Sequence, residues 1–140
     1  MEWTIASKIV RKVVTIDESH SVLDAATLMA EEFVGSAVIT SSSKITGIFT
    51  ERDLMMRVVG KKRDAEKVTI KDVMTKEVVR VSPKDSANYC LNLMKDYSCR
   101  HLLVFDGDEF VGIVSLRDMV ALMMEEKEDL IAHLHQYINS

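Results

Sequence analysis

The sequence predicts an α+β fold made of two β-α-β-β-α repeats related by pseudo-twofold symmetry. Three observations carry that expectation. Identical residues recur at a constant offset of 65: Thr4-Ile5 with Thr69-Ile70, Val13-Val14 with Val78-Val79, Ser21 with Ser86, Leu28-Met29 with Leu93-Met94, Arg52-Asp53 with Arg117-Asp118. Apolar character stays in phase where identity lapses, as at Ile16 and Val81, Val38 and Leu103, Ile45 and Phe110. Each copy also closes on the same stretch, Gly47-Ile48-Phe49-Thr50-Glu51-Arg52-Asp53 and Gly112-Ile113-Val114-Ser115-Leu116-Arg117-Asp118. Each stretch reads as the end of an apolar strand, a hydroxyl residue, and an acid three positions later at a helix start.

In the first copy, Val13 to Ile16 is short and β-branched, a strand. Ser21 and Asp24 form a capping-box pattern. Leu23, Ala26, Ala30 and Phe33 then recur at helical spacing and predict an apolar face, with Gly35 closing the helix. Ser36 to Thr40 is a second strand, Ser41 to Lys44 a turn, Ile45 to Phe49 a third strand, and Thr50 starts a helix to about Val59. The second copy repeats the order. Val78 to Val81 is a strand stopped by Pro83, and Ser86 caps a helix with the apolar face Ala87, Cys90, Leu91 and Met94. Arg100 to Phe105 and Phe110 to Val114 are strands joined through Asp106-Gly107, and Ser115 opens the last helix of the copy.

The expected organisation is repeat 1 at 4–60, a charged surface linker at 61–68, repeat 2 at 69–124 and an amphipathic helix at 125–140. One copy alone buries too little to be secure. The two are therefore expected to share one compact domain, with clefts where they meet. In the tail, Leu130, Leu134, Tyr137 and Ile138 fall on one helical face, which must fold back or meet another subunit.

Composition narrows the function classes. At 140 residues, 47% hydrophobic and 29% charged, the chain reads as soluble and globular. A net charge of -4 and a pI of about 5.6 argue against a nucleic-acid binder; Lys61-Lys62-Arg63 reads as a solvated loop. No apolar run reaches the ~18 residues that span a bilayer, and no signal peptide is evident. Cys90 and Cys99 lack Cys-x-x-Cys spacing and read as reduced thiols of a cytoplasmic protein. Cys99 with His101, and His133 with His135, do not make a nucleophile-base pair or a metal cluster, so no catalytic residue and no catalytic cofactor is expected.

Thr50-x-x-Asp53 and Ser115-x-x-Asp118 each allow two readings. In one, the pair is a capping box that satisfies free N–H groups at a helix start. In the other, the helix N-terminus with its hydroxyl takes phosphate, the acid one turn in accepts from ribose hydroxyls, and an apolar cleft takes a flat base. Repetition at one register, the preceding Gly-Ile, and Arg52 or Arg117 just before the acid favour the second reading.

The double β-α-β-β-α order and the paired Gly-Ile-x-[Thr/Ser]-x-x-Asp elements resemble a tandem pair of cystathionine-β-synthase (CBS) domains, a Bateman module of the stand-alone type, over residues 4 to 124. The resemblance implies a non-catalytic regulatory module that senses an adenosyl ligand such as AMP, ADP, ATP, NAD or S-adenosylmethionine in clefts between the repeats. The alternative is a ligand-free dimerisation or adaptor domain. Carried over by motif, Thr50, Arg52 and Asp53 serve one cleft and Ser115, Arg117 and Asp118 the other. Thr15, Ala37 and Val38 border the base in the first, Val81 and Leu102 in the second, where Arg80 replaces the usual hydroxyl residue. Arg100, with His101 beside it, offers a charged fork to phosphate and is matched by Gly35 in the first copy. The resemblance further implies a homodimer through the second helix of each repeat, acting on an unknown downstream protein, with neither nucleic acid nor membrane as partner.

Overall fold

The structure, a computed structural model, describes residues 3–139. They form two compact units, 12–78 and a second unit in which 3–11 joins 79–139. Each unit is α+β and holds one three-stranded sheet.

In the unit 12–78, β1 (Thr15–Asp17) pairs parallel with β2 (Ser36–Ser41), and β2 pairs antiparallel with β3 (Lys44–Thr50). The β2–β3 turn places Ser42 and Ser43 at φ 51° and 66°, the positive-φ pair that a tight two-residue hairpin selects. Helix α1 (Val22–Glu31) is capped by the Ser21 hydroxyl, which accepts from Asp24 N. It buries Val22, Ala25 and Met29. This corrects the expected face: Leu23 is 40% and Phe33 95% exposed, and Ala30 is exposed too. The stretch is apolar on most sides, so its periodicity fits two neighbouring registers, and contact with the sheet selects the other one. Nor does Gly35 end the helix. Phe33 takes the left-handed turn at φ 57°, as Ser98 does at φ 52° in the second copy.

After β3 the chain makes one short α-turn, α2 (Glu51–Asp53), then widens into a π-helix over Leu54–Val59, closed by Gly60 N donating to Met55 O at 2.7 Å. The segment expected to be a surface linker is exposed continuously through Asp64 and again at Glu66 and Lys67. Beyond Asp64 the backbone folds onto α1, the Ala65 and Val68 carbonyls accepting from Leu23 N and Val22 N, and Val68 is buried. Helix α3 (Ile70–Val73) adds Ile70 and Val73 to a core that holds Ile16, Met29, Ile39 and Phe49.

The second unit repeats the sheet with β4 (Arg80–Val81), β5 (His101–Asp106) and β6 (Glu109–Ser115), paired parallel and then antiparallel. Helix α4 (Ala87–Asp96) buries Ala87, Cys90 and Met94 as its periodicity predicts. The N-terminal segment completes this unit. Its 3-10 turn (Ile5–Lys8) buries Ile5, whose N–H donates to Asp85 O at 2.9 Å. Helix α5 runs unbroken from Leu116 to Asn139, so the tail expected as a separate helix is a continuation of the repeat's own. Nothing in Glu125-Glu126-Lys127-Glu128 breaks helical geometry; charge alone does not end a helix.

Each unit is closed by an extended segment laid against its last strand. Thr75 exchanges two backbone hydrogen bonds with Ile48, both 2.9 Å, and Val10 does the same with Ile113 at 2.8 and 3.0 Å. The repeated glycines make room. A Cβ on Gly47 would lie 2.7 Å from Thr75 O, and one on Gly112, at φ 155°, only 2.4 Å from Val10 O. Gly112→Ala therefore combines a backbone clash with strain and is expected to cost about 2–4 kcal/mol in urea unfolding. Gly107→Ala, at φ 62° with open space around it, is expected to cost about 1 kcal/mol. Equal losses would show that close approach is not what Gly112 provides.

Candidate functional site

Both hydroxyl-acid pairs are formed, each at the end of a sheet and the start of a helix. At the first corner the Thr50 hydroxyl accepts from Asp53 N, and Asp53 Oδ2 accepts from Thr50 N at 3.0 Å and from Thr50 Oγ1 at 3.2 Å. The carboxylate is engaged further. Thr75 Oγ1 donates to Asp53 Oδ1 at 3.1 Å, and Arg57 Nε lies 3.8 Å from the same oxygen. Arg57 also donates to the Val73 and Met74 carbonyls at 3.1 and 3.0 Å. Asp53 is 7% exposed, the one buried charged residue among those described. Burial of a carboxylate requires such partners, and here they come from the helix start, the π-turn and the closing segment.

At the second corner the Ser115 hydroxyl accepts from Asp118 N, and Asp118 Oδ2 accepts from Ser115 N at 3.2 Å and from Ser115 Oγ at 2.9 Å. The box is the same, but Asp118 is only partly buried. At the 65-residue offset, Val10 stands for Thr75 and Leu122 for Arg57, and neither can donate to a carboxylate. Arg100 and Arg117 are exposed, and Arg100 O accepts from Leu116 N at the start of α5. His101 begins β5, opposite Ser115. At the matching place in the first corner, the Glu51 carboxyl folds over Gly35, within 3.1–3.3 Å of where a Cβ would stand. Arg52 is exposed, with its Nε 3.4 Å from Met56 Sδ.

The residues expected to border a base divide. Thr15 is exposed and lines a shallow cavity of about 290 Å³ with Val13, Val14, Leu28 and Val34, bounded by Lys12 and Glu32. This groove lies at the same end of the sheet as Thr50, because Thr50 pairs with Ser36 and the Val14 carbonyl accepts from Val38 N. Ala37, Val81 and Leu102 instead have their side chains in the unit cores, and Val38 is 1% exposed. They shape the sheet and offer a ligand little but backbone. Arg80 lies over the Phe105 ring, 4.1 Å from its centroid.

Sequence reasoning missed Thr75 and Arg57. The signal was present as a break in the repeat: both positions are polar in one copy and apolar in the other. Among the described residues, no cluster of His, Cys, Asp and Glu could hold a metal, and no helix is long and apolar enough to cross a membrane. Burial pushes the Cys90 thiol up to about 12, with the Asp85 charge adding to it, and burial also raises Cys99. A thiol so placed is not a nucleophile at neutral pH.

A family model for the CBS domain matches residues 6–60 and 70–125. A CBS domain-containing mitochondrial protein of Arabidopsis thaliana is 28% identical over 123 residues, covering 84% of this chain and 60% of the relative. This chain thus spans less than two thirds of that relative's length. The crystal structure of a CBS-domain-containing protein from Agrobacterium tumefaciens is similar with a TM-score of 0.79 and 28% identity, over 88% of this chain and 95% of that one. A hexameric CBS-CP12 protein from bloom-forming cyanobacteria is similar with a TM-score of 0.79 and 27% identity, over 86% of this chain and 71% of that one.

The raised thiol has a measurable consequence. Because folding lifts the Cys90 pKa, the stability linked to it is complete below the ordinary thiol value of 9.0 and is lost as pH rises from there toward about 12. Native protein at pH 8 is expected to react slowly with a disulfide reagent at Cys90 and rapidly once unfolded. Fast reaction of the native thiol would contradict the burial.

Proposed function

Because the chain belongs to the CBS-domain family, we propose that it is a non-catalytic regulatory module that senses an adenosyl ligand, AMP, ATP or NAD. One observation carries this reading: the same hydroxyl-acid box stands at a strand-to-helix corner in each repeat, with Asp118 left partly exposed. A helix N-terminus and a hydroxyl suit phosphate. A carboxylate one turn in suits a sugar diol. The groove beside Thr15 is apolar and of a size for a flat base. Arg100 and Arg117 give the second corner the positive charge a phosphorylated ligand requires. The raised thiols do not suit Cys90 or Cys99 to act as a nucleophile. Cys90 and Cys99 are free thiols, which suits a reducing, cytoplasmic setting.

A homodimer fits the exposed apolar surface. In one unit Met55, Met56 and Val59 are 59%, 51% and 64% exposed. In the other, α5 exposes Val120, Met124, Leu130, Ile131, Leu134, Tyr137 and Ile138. Helix faces of this kind are covered by association.

Calorimetric titration with AMP, ATP, NAD and S-adenosylmethionine tests the sensor reading. At least one is expected to bind, and failure of all four leaves the adaptor alternative. Arg100→Ala is expected to weaken a phosphorylated ligand by about tenfold or more while leaving adenosine nearly unchanged. Equal loss for both would assign Arg100 a structural role. Sedimentation at micromolar concentration is expected to exceed the 15.8 kDa chain mass. Met124→Glu, in the exposed face of α5, is expected to shift it toward the monomer by burying an unpaired charge; a wild-type monomer would overturn the dimer.

A further inference from the structure

The two corners share one motif, but their acids are not equally available. Asp53 Oδ1 already accepts from the Thr75 hydroxyl at 3.1 Å and faces Arg57 Nε at 3.8 Å. Oδ2 accepts from Thr50 and, at 3.3 Å, from Thr75 as well. A sugar hydroxyl approaching this carboxylate meets a hydroxyl that the chain itself supplies. Among the described residues Asp118 has only the box, and the residues equivalent to Thr75 and Arg57 are Val10 and Leu122. Charge points the same way. The first corner presents Glu51 over Gly35, whereas the second has Leu116 and Arg100 at those places.

We infer that Thr75 and Arg57 are specificity-determining residues. They occupy the Asp53 carboxylate from within, so that the second corner, at Ser115 and Asp118, binds ligand first and more tightly. The inference rests on the sensor reading for its ligand and on the hydrogen bonds of Asp53 for its asymmetry. A base can still enter the groove beside Thr15, but a ribose that engages Asp53 must displace Thr75. Because Thr75 also carries the closing segment through its backbone bonds to Ile48, binding at the first corner disturbs that segment, and binding at the second does not.

Isothermal titration with ATP and AMP on single-corner variants tests this. Asp53→Asn leaves the second corner and is expected to bind within about twofold of wild type. Asp118→Asn leaves the first and is expected to weaken binding by roughly tenfold or more. Adding Thr75→Val to Asp118→Asn, which gives the first corner the apolar residue type of the second, is expected to recover much of that loss. A merely structural threonine would not produce a gain. Two equal sites per wild-type chain, or a folded Asp53→Asn protein that loses all binding, would overturn the inference. Thermal unfolding without ligand separates it from the sensor reading. Asp53→Asn is expected to lower the melting temperature by roughly 5–10 °C and Asp118→Asn by clearly less. If no nucleotide binds, the sensor reading falls and this comparison alone decides whether Asp53 is committed; equal shifts would show that it is not. Should Asp53→Asn fail to fold, Thr75→Val carries the melting test, with a drop expected and no change counting against the inference.

Discussion

Two pairs of backbone hydrogen bonds hold the architecture to its form. In each unit an extended segment lies against the last strand, and the strand can receive it only because a glycine precedes the bonded residue. Gly47 admits Thr75, and Gly112 admits Val10. The Gly-Ile pair that opens each repeated stretch is thus about approach before it is about a ligand. Buried backbone groups that failed to pair would cost more than the net contribution of the bonds themselves. The same contact sets what lies beyond it, since the segment that reaches Ile48 also carries the hydroxyl that fills the Asp53 carboxylate.

Repetition and departure therefore have different causes. What recurs is what a strand-to-helix corner requires: the glycine, the apolar strand end, the capping hydroxyl and the acid. What differs is how each acid is surrounded. The first copy widens into a π-turn, where Arg57 reaches both Asp53 and the carbonyls that end α3. The second copy stays α-helical, and Leu122 at the same place packs into the core. One buried carboxylate with three donors and Arg57 beside it, and one partly open carboxylate that among the described residues has its box alone, are two outcomes of one motif.

The repeat and its strand order were legible because apolar spacing and turn residues act locally. The face of α1 was not. Val22, Ala25 and Met29 and the neighbouring register Leu23, Ala26 and Ala30 are both apolar, and only tertiary contact distinguishes them. Helix α5 hides its length for a different reason, because a charged run reads as an end yet costs a helix nothing. The candidate site was legible as far as its boxes. Thr75 and Arg57 were not, because what they do depends on a segment far along the chain. Their trace was the failure of the repeat at those two positions, a signal that a search for similarity passes over.

The exchange of closing segments also orders events in time. Residues 12–78 hold every strand, helix and closing segment of their unit in one continuous stretch, so that unit can complete itself as soon as Thr75 is available to Ile48. Residues 3–11 belong to the other unit, and Val10 finds its partner only when Ile113 has been made. During synthesis from the N-terminus, this segment leaves the ribosome before residues 12–78 yet can dock only after them. Until then Ile5 and Val10 wait in water, and the loop that must close between Val10 and Ile113 contains an already folded body rather than free chain.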